Sequence, residues 1–158
     1  MAITGTFVAG EEQNFNDVKV EIDQTPAASS FIDITSWVSN IQVTHGAVPT
    51  TQFNTYTVPI NYIGEQDAST VVLTIVYTED ALTDPWREII DDFNASPGLL
   101  YDVQWEPAGA GIGNYIYTTS GGRMTNVTYP TQPAGDGAPV TFDVTIVCST
   151  ITVSTQAV

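Results

Sequence analysis

The sequence predicts a mainly β protein: two packed antiparallel sheets, a β-sandwich or small barrel, with one flanking α-helix. Three observations predict it. Val, Ile and Thr recur at every second position through several segments, the spacing of a half-buried strand. A single stretch has apolar residues at helical spacing. Clusters of Gly and Pro separate the segments at turn intervals.

In chain order, 17–23 alternates without a fault, Val18, Val20 and Ile22 on one side and Asp17, Lys19, Glu21 and Asp23 on the other. That is a strand with one wet face. Trp37, Ser39, Ile41 and Val43 form a second stripe. The run 70–77 is nearly all apolar and reads as a strand covered on both faces. A helix is expected over 85–93: Asp84 can cap it, Pro85 suits its first position, and Trp86, Ile89, Ile90 and Phe93 share a face. Leu99, Tyr101, Val103 and Trp105 alternate with Leu100, Asp102, Gln104 and Glu106; 115–119 and 123–129 are shorter strands around Ser120-Gly121-Gly122. Phe142, Val144, Ile146 and Cys148 line one face of the last long strand. The segments 46–55, 106–114 and 130–139 read as loops. No repeat or linker divides the chain, so 1–158 is expected to be one domain.

Composition narrows function. The net charge is -15, with only Lys19, Arg87 and Arg123 against 18 acids. Gripping phosphates needs clustered cations, so tight nucleic-acid binding is not expected, nor is binding to anionic membranes. Residues 1–10 lack a basic region followed by an apolar block, so synthesis in a cytoplasm is expected. One cysteine excludes an internal disulfide framework.

No constellation of catalytic type stands out. A nucleophilic triad would need His45, the sole histidine, and no G-x-S-x-G elbow occurs. Cys148 lies on an apolar stripe, the place of a small core residue. Pairs such as Asp91-Asp92 and Glu79-Asp80 have the type for glycoside hydrolysis or Ca²⁺ binding, but no segment has the calcium-loop pattern and solvated surface is the ordinary reading. Gly109, Gly111 and Gly113 lack the lysine and helix of a phosphate loop. Asn94 and Asn126 match the glycan acceptor pattern with no secretory signal to support it. Trp37, Phe53, Tyr56, Tyr62, Trp105 and Tyr115 offer a sugar platform, against which Trp37 and Trp105 lie on core stripes. No enzyme activity, cofactor or metal is expected.

The run 33–46, Asp-Ile-Thr-Ser-Trp-Val-Ser-Asn-Ile-Gln-Val-Thr-His-Gly, resembles the strand entry of the tail tube proteins of long, non-contractile bacteriophage tails. The strand 71–77, the helix 85–93 and the strands 100–107 and 140–148 follow in that family's order. The resemblance implies paired strands within 47–62, a fold similar to the type VI secretion tube protein, and no catalytic residues. It implies six copies per ring, one sheet of each joining a β-barrel around a lumen, and rings stacked into a tube that conducts DNA. Expected partners are further copies, tape measure, terminator and distal tail proteins, and DNA in transit; the expected location is the virion tail.

Under that resemblance, Asp17, Glu21, Asp23, Asp102, Glu106 and Asp143 are candidates to line an acidic bore. Gly46, Val48, Pro49, Gln52 and Phe53 belong to a candidate ring-stacking loop, with 1–15 and 149–158 as further contacts. Scarce lysine leaves strand edges undefended, which pairing between copies would satisfy. The competing readings are a secreted carbohydrate-binding or adhesin β-sandwich, a hydrolase using paired acids, and a capsid decoration or head-completion protein.

Overall fold

The structure is a computed structural model; it describes residues 18–24, 30–54, 59–78, 85–109, 111–131, 137 and 139–157. The strands are β1 (Lys19–Asp23), β2 (Phe31–Asp33), β3 (Val38–Thr44), β4 (Thr50–Asn54), β5 (Pro59–Ile63), β6 (Ser69–Val76), β7 (Asp102–Glu106), β8 (Tyr115–Ser120), β9 (Arg123–Val127), β10 (Thr141–Cys148) and β11 (Thr150–Thr155), with α1 (Pro85–Ala95) between β6 and β7. They form a five-stranded sheet β11-β8-β7-β1-β2, a four-stranded sheet β3-β6-β10-β9 and a separate β4-β5 pair. Every pairing is antiparallel. The mainly β class is as the alternation predicts, and the one helix among the described residues is as the apolar spacing of 85–93 predicts.

The core lies between the two large sheets. Val20, Ile22, Val103 and Trp105 face Val71, Leu73, Ile75, Phe142, Val144 and Ile146 in one cluster. β10 alternates half-buried and buried along its whole length. β6 does so too, which corrects its expected cover on both faces: Val71, Leu73 and Ile75 are inside, while Thr70, Val72, Thr74 and Val76 stay half-exposed. An apolar run alone does not distinguish these cases.

β3 begins at Val38, so Trp37 lies before it and packs partly buried on the core. Val38 opposes Ile75 and Asn40 opposes Thr74, leaving Ser39 as an extra residue. This bulge shifts the inward positions to Ile41 and Val43. Val43 is 39% exposed, so the stripe weakens toward the strand's end.

β10 and β11 are joined through Ser149, as are β8 and β9 through Gly121-Gly122. Thr150 opposes Ser120 and Val147 opposes Arg123, so one antiparallel ribbon bends from one sheet into the other. Gly121 has φ 65°, and a Cβ on Gly122 would stand 2.1 Å from the Tyr101 carbonyl oxygen. Only glycine permits that approach.

Ile89 is buried and Trp86, Ile90 and Phe93 pack against the core, the face set by their spacing. Trp86 meets Phe142 edge-on, centroids 4.8 Å apart. The capping residue Asp84 lies outside the described residues. Gly98, at φ 79°, turns the chain after the helix.

Candidate functional site

Among the described residues, the large surfaces are the outer faces of the two sheets, their edges and the β4-β5 hairpin. On the five-stranded sheet, register places Thr152, Thr118, Gln104, Glu21 and Asp33 in one polar row. Three of the acids expected to face a wet bore are instead buried: Asp23 at 1%, Asp102 at 8% and Glu106 at 4%. Their carboxylates are used inside the chain, and that of Asp102 lies beside Gly122 and the core residue Ile146. Asp102 Oδ1 accepts from Thr119 Oγ1 and from the Gly122 backbone N–H, both at 2.8 Å. Asp23 Oδ2 accepts from the Ser30 N–H at 3.1 Å. Glu106 Oε1 lies 3.7 Å from Lys19 Nζ. Glu21 is half-buried and holds the same ammonium at 2.9 Å, which raises the lysine's pKa against the cost of its burial. Asp17 lies outside the described residues.

The four-stranded sheet differs. Its outer face carries the rows Asn40–Thr74–Asp143, Gln42–Val72–Thr145–Asn126 and Thr44–Thr70–Val147–Arg123. Asp143 Oδ1 accepts from Thr74 Oγ1 at 2.7 Å and remains half-exposed. Among the described residues of these rows, Asp143 and Arg123 are the charged ones. Arg123 donates to the Gly98 carbonyl at 2.9 Å.

Among the described strands this sheet also has an open edge. β3 pairs with β6 on one side only among the described strands. β9 is partly covered: Leu100 bridges to Arg123, and the Met124 N–H donates to Leu99 O at 3.1 Å.

The hairpin leaves between β3 and β6 and joins neither large sheet. Its stem is fastened by Gly46 N–H to Ser69 Oγ at 3.0 Å, Asp67 N–H to Ala47 O at 2.8 Å and Gly64 N–H to Pro49 O at 2.8 Å. A Cβ on Gly46 would stand 1.7 Å from Asp67 O. Val48, Tyr62 and Ile63 are 48%, 66% and 70% exposed. Of the stacking candidates, Gly46, Val48 and Pro49 lie in the stem and Gln52 and Phe53 on β4; the Phe53 side chain lies outside what the structure describes. The segment 46–55, expected as a loop, therefore contains β4. A strand standing away from the core needs no apolar alternation, which hid it; the resemblance implied it.

The residues of catalytic type do not converge. His45 is exposed, its Nδ1 2.7 Å from Gln66 Nε2. Cys148 is buried, its thiol directed at Ser69 O, and burial raises its pKa. Asp92 accepts from the Tyr101 hydroxyl, whereas Asp91 is solvent-exposed and 3.9 Å from Arg87. No group of metal-ligating side chains occurs among the described residues. Trp105 is buried and stacked on Tyr117 at 5.4 Å, so it is not part of a sugar platform. A shallow cavity of about 300 Å³ beside Pro107, Asn114 and Tyr115 holds no charged side chain.

One pair went unread as a structural device. Asp33 Oδ1 accepts from the Thr35 hydroxyl at 2.6 Å and from its N–H at 2.9 Å. The Thr35 oxygen in turn accepts from the Val20 N–H at 2.9 Å. The Asp-x-Thr spacing is the available signal for such a turn.

Neither a protein-family model nor a curated protein matches the sequence. Solved structures do match the fold. A chain of the sheath–tube complex of the extracellular contractile injection system PVC, in its extended state, superposes with TM-score 0.67 at 11% identity, covering 93% of this chain and 94% of that one. A chain of the anti-feeding prophage cap, the tube-terminating cap, gives 0.67 at 14% identity, covering 98% and 99%. A chain of the tail of an empty gene transfer agent (GTA) particle gives 0.59 at 11%, covering 92% and 100%. Over nearly its whole length, the chain has the tail-tube-like fold found in phage-like tails and contractile injection systems.

Proposed function

We propose that this protein is the repeating subunit of a tail tube, a structural virion protein that forms stacked rings of six copies and conducts DNA into a bacterial host. The observation that carries this reading is the β4-β5 hairpin. A two-stranded hairpin alone is marginally stable in water. This one joins neither large sheet and exposes Val48, Tyr62 and Ile63. A second copy supplies the missing cover, and a contact between two different surfaces of one chain propagates into rings or stacks. The β3 edge, unpaired among the described strands, gives the lateral contact.

The fold neighbours support the same reading. The GTA tail was refined with C6 symmetry, and another neighbour is named a sheath/tube terminator. Terminator, tape measure and distal tail proteins are the partners such a tube requires, and the run 33–46 favours a tail of the long, non-contractile kind. The whole chain acts as one domain without catalysis or cofactor. Lys19 and Arg87 are both engaged by acids, which leaves few cations to hold passing phosphates.

Electron microscopy of the purified protein at high concentration tests the assignment. Tubes with a central hole and six-fold end views are expected. A protein that stays monomeric overturns the reading, and a monomer with measurable glycan affinity replaces it with a binding module.

A further inference from the structure

The two large sheets offer two polar faces, and they differ in chemistry. We propose that the bore is lined by the outer face of the four-stranded sheet, and that this wall is hydroxyl-rich and charge-balanced rather than acidic. The proposal rests on the tube reading above and assigns its inner surface.

The first argument is burial. A wall in contact with fluid has its polar groups free to meet water. On the five-stranded sheet, Asp23, Asp102 and Glu106 are buried and bound within the chain, while Glu21, Gln104 and Thr118 between them are half-exposed, so that face is interrupted. On the four-stranded sheet, both central strands keep a half-exposed outer face along their length: Thr70, Val72, Thr74 and Val76 on β6, Thr141, Asp143, Thr145 and Val147 on β10.

The second argument is strand parity. Neighbours in β3-β6-β10-β9 are antiparallel, so β3 and β9 run in opposite directions. Set β9 of one copy beside β3 of the next, and the alternation continues around a ring. In the five-stranded sheet β11 and β2 run the same way. Joining those edges creates a parallel junction, with slanted and slightly weaker bonds, and β2 offers only three residues. β3 offers seven residues, and Thr125–Val127 of β9 extend beyond the Leu99–Leu100 cover.

The third argument is continuity. The hairpin arises from β3 and β6, strands of the proposed wall. Ring-to-ring contact and wall then belong to one sheet.

The wall's charge follows from its residues. The described face carries Asp143 and Arg123 among Thr, Asn, Gln and Val, so its charges cancel, against -15 for the whole chain. The acids lie elsewhere, among them Glu88, Asp91 and Asp92 on the helix. A polyanion entering such a bore meets neither a repelling wall nor a cluster of cations. Hydroxyl and amide groups hold a water film instead.

Single-cysteine probes in assembled tubes test the assignment, since the native Cys148 is buried. T145C places a thiol on the proposed wall and D91C on the exposed helix face. A small maleimide should label both, whereas a maleimide on a large polymer should label D91C alone. Equal polymer labelling of both in intact tubes overturns the assignment. Should T145C not assemble, V72C reports on the neighbouring position in the same row. For the charge balance, the probe is short duplex DNA retained by washed tubes. D143N should change retention by less than about two-fold, and T145K should raise it about ten-fold or more. A ten-fold rise with D143N means an acid keeps the wall clear and overturns the charge-balanced wall. Absence of tubes from the parent protein overturns the tube reading itself, a separate outcome.

Discussion

The hydroxyl of Tyr101 donates to Asp92 Oδ2 over 2.6 Å, joining the helix to the residue that leads into β7. The same oxygen accepts from Gln24 Nε2 at 2.9 Å. The ring is buried. Burial first, then the bond to the Asp92 carboxylate, pushes the phenol's pKa far above its ordinary value.

That shift has a definite sign. A pKa raised on folding gives stability present below the unfolded value, about 10, and lost as pH climbs above it. Denaturant midpoints should therefore fall above about pH 10. Y101F should lose about 1 kcal/mol at neutral pH through the missing hydrogen bonds and show a flatter alkaline decline. An unchanged alkaline decline in Y101F would assign it to other groups.

The turn after β2 predicts an acid-side effect. The Thr35 hydroxyl and N–H hold the Asp33 carboxyl below the ordinary carboxylate range. The stability this gives is present above the unfolded pKa and is lost as pH falls through the lowered folded value. T35V removes the donor to Asp33 and the acceptor of the Val20 N–H, and should cost about 1–2 kcal/mol at neutral pH. The Asp33 pKa, followed by NMR, should return toward its model-peptide value.

Hairpin substitutions should separate assembly from folding. G46A drives a Cβ into Asp67 O and should abolish tubes, while the core's unfolding free energy changes by less than about 1 kcal/mol. Y62S with I63S should leave stability within about 0.5 kcal/mol, since both side chains are exposed. Sedimentation should then find small species in place of tubes. Tubes of normal length in that double variant would remove the hairpin from the stacking contact.

Cys148 should be silent in the native state. Its thiol is buried, and burial, then the nearby Asp102 charge, raises its pKa. Thiol reagents should react only as fast as the chain opens, and fully in denaturant. C148S places a hydroxyl in the same apolar site and should cost about 1–3 kcal/mol. Rapid native labelling would mean that the β10 end opens locally.

Local periodicity was legible. The inward residues of β1, β6 and β10, the helix face of Ile89 and Phe93, and the glycine turn between β8 and β9 all follow from spacing and turn chemistry. The β3 bulge was not legible, because a one-residue register shift leaves the composition unchanged. β4 was hidden by its lack of alternation.

The sequence by itself determined the strand-rich class, the single amphipathic helix and the lack of a cation cluster for phosphates, since each depends on residue type and local period. Only the tertiary structure decided which outward positions are wet. Asp23, Asp102 and Asp143 all lie on outward faces by alternation, yet two are buried and one is half-exposed. The physical reason is that alternation gives only the direction expected of a side chain, whereas its partners and its burial depend on what the rest of the chain brings around it.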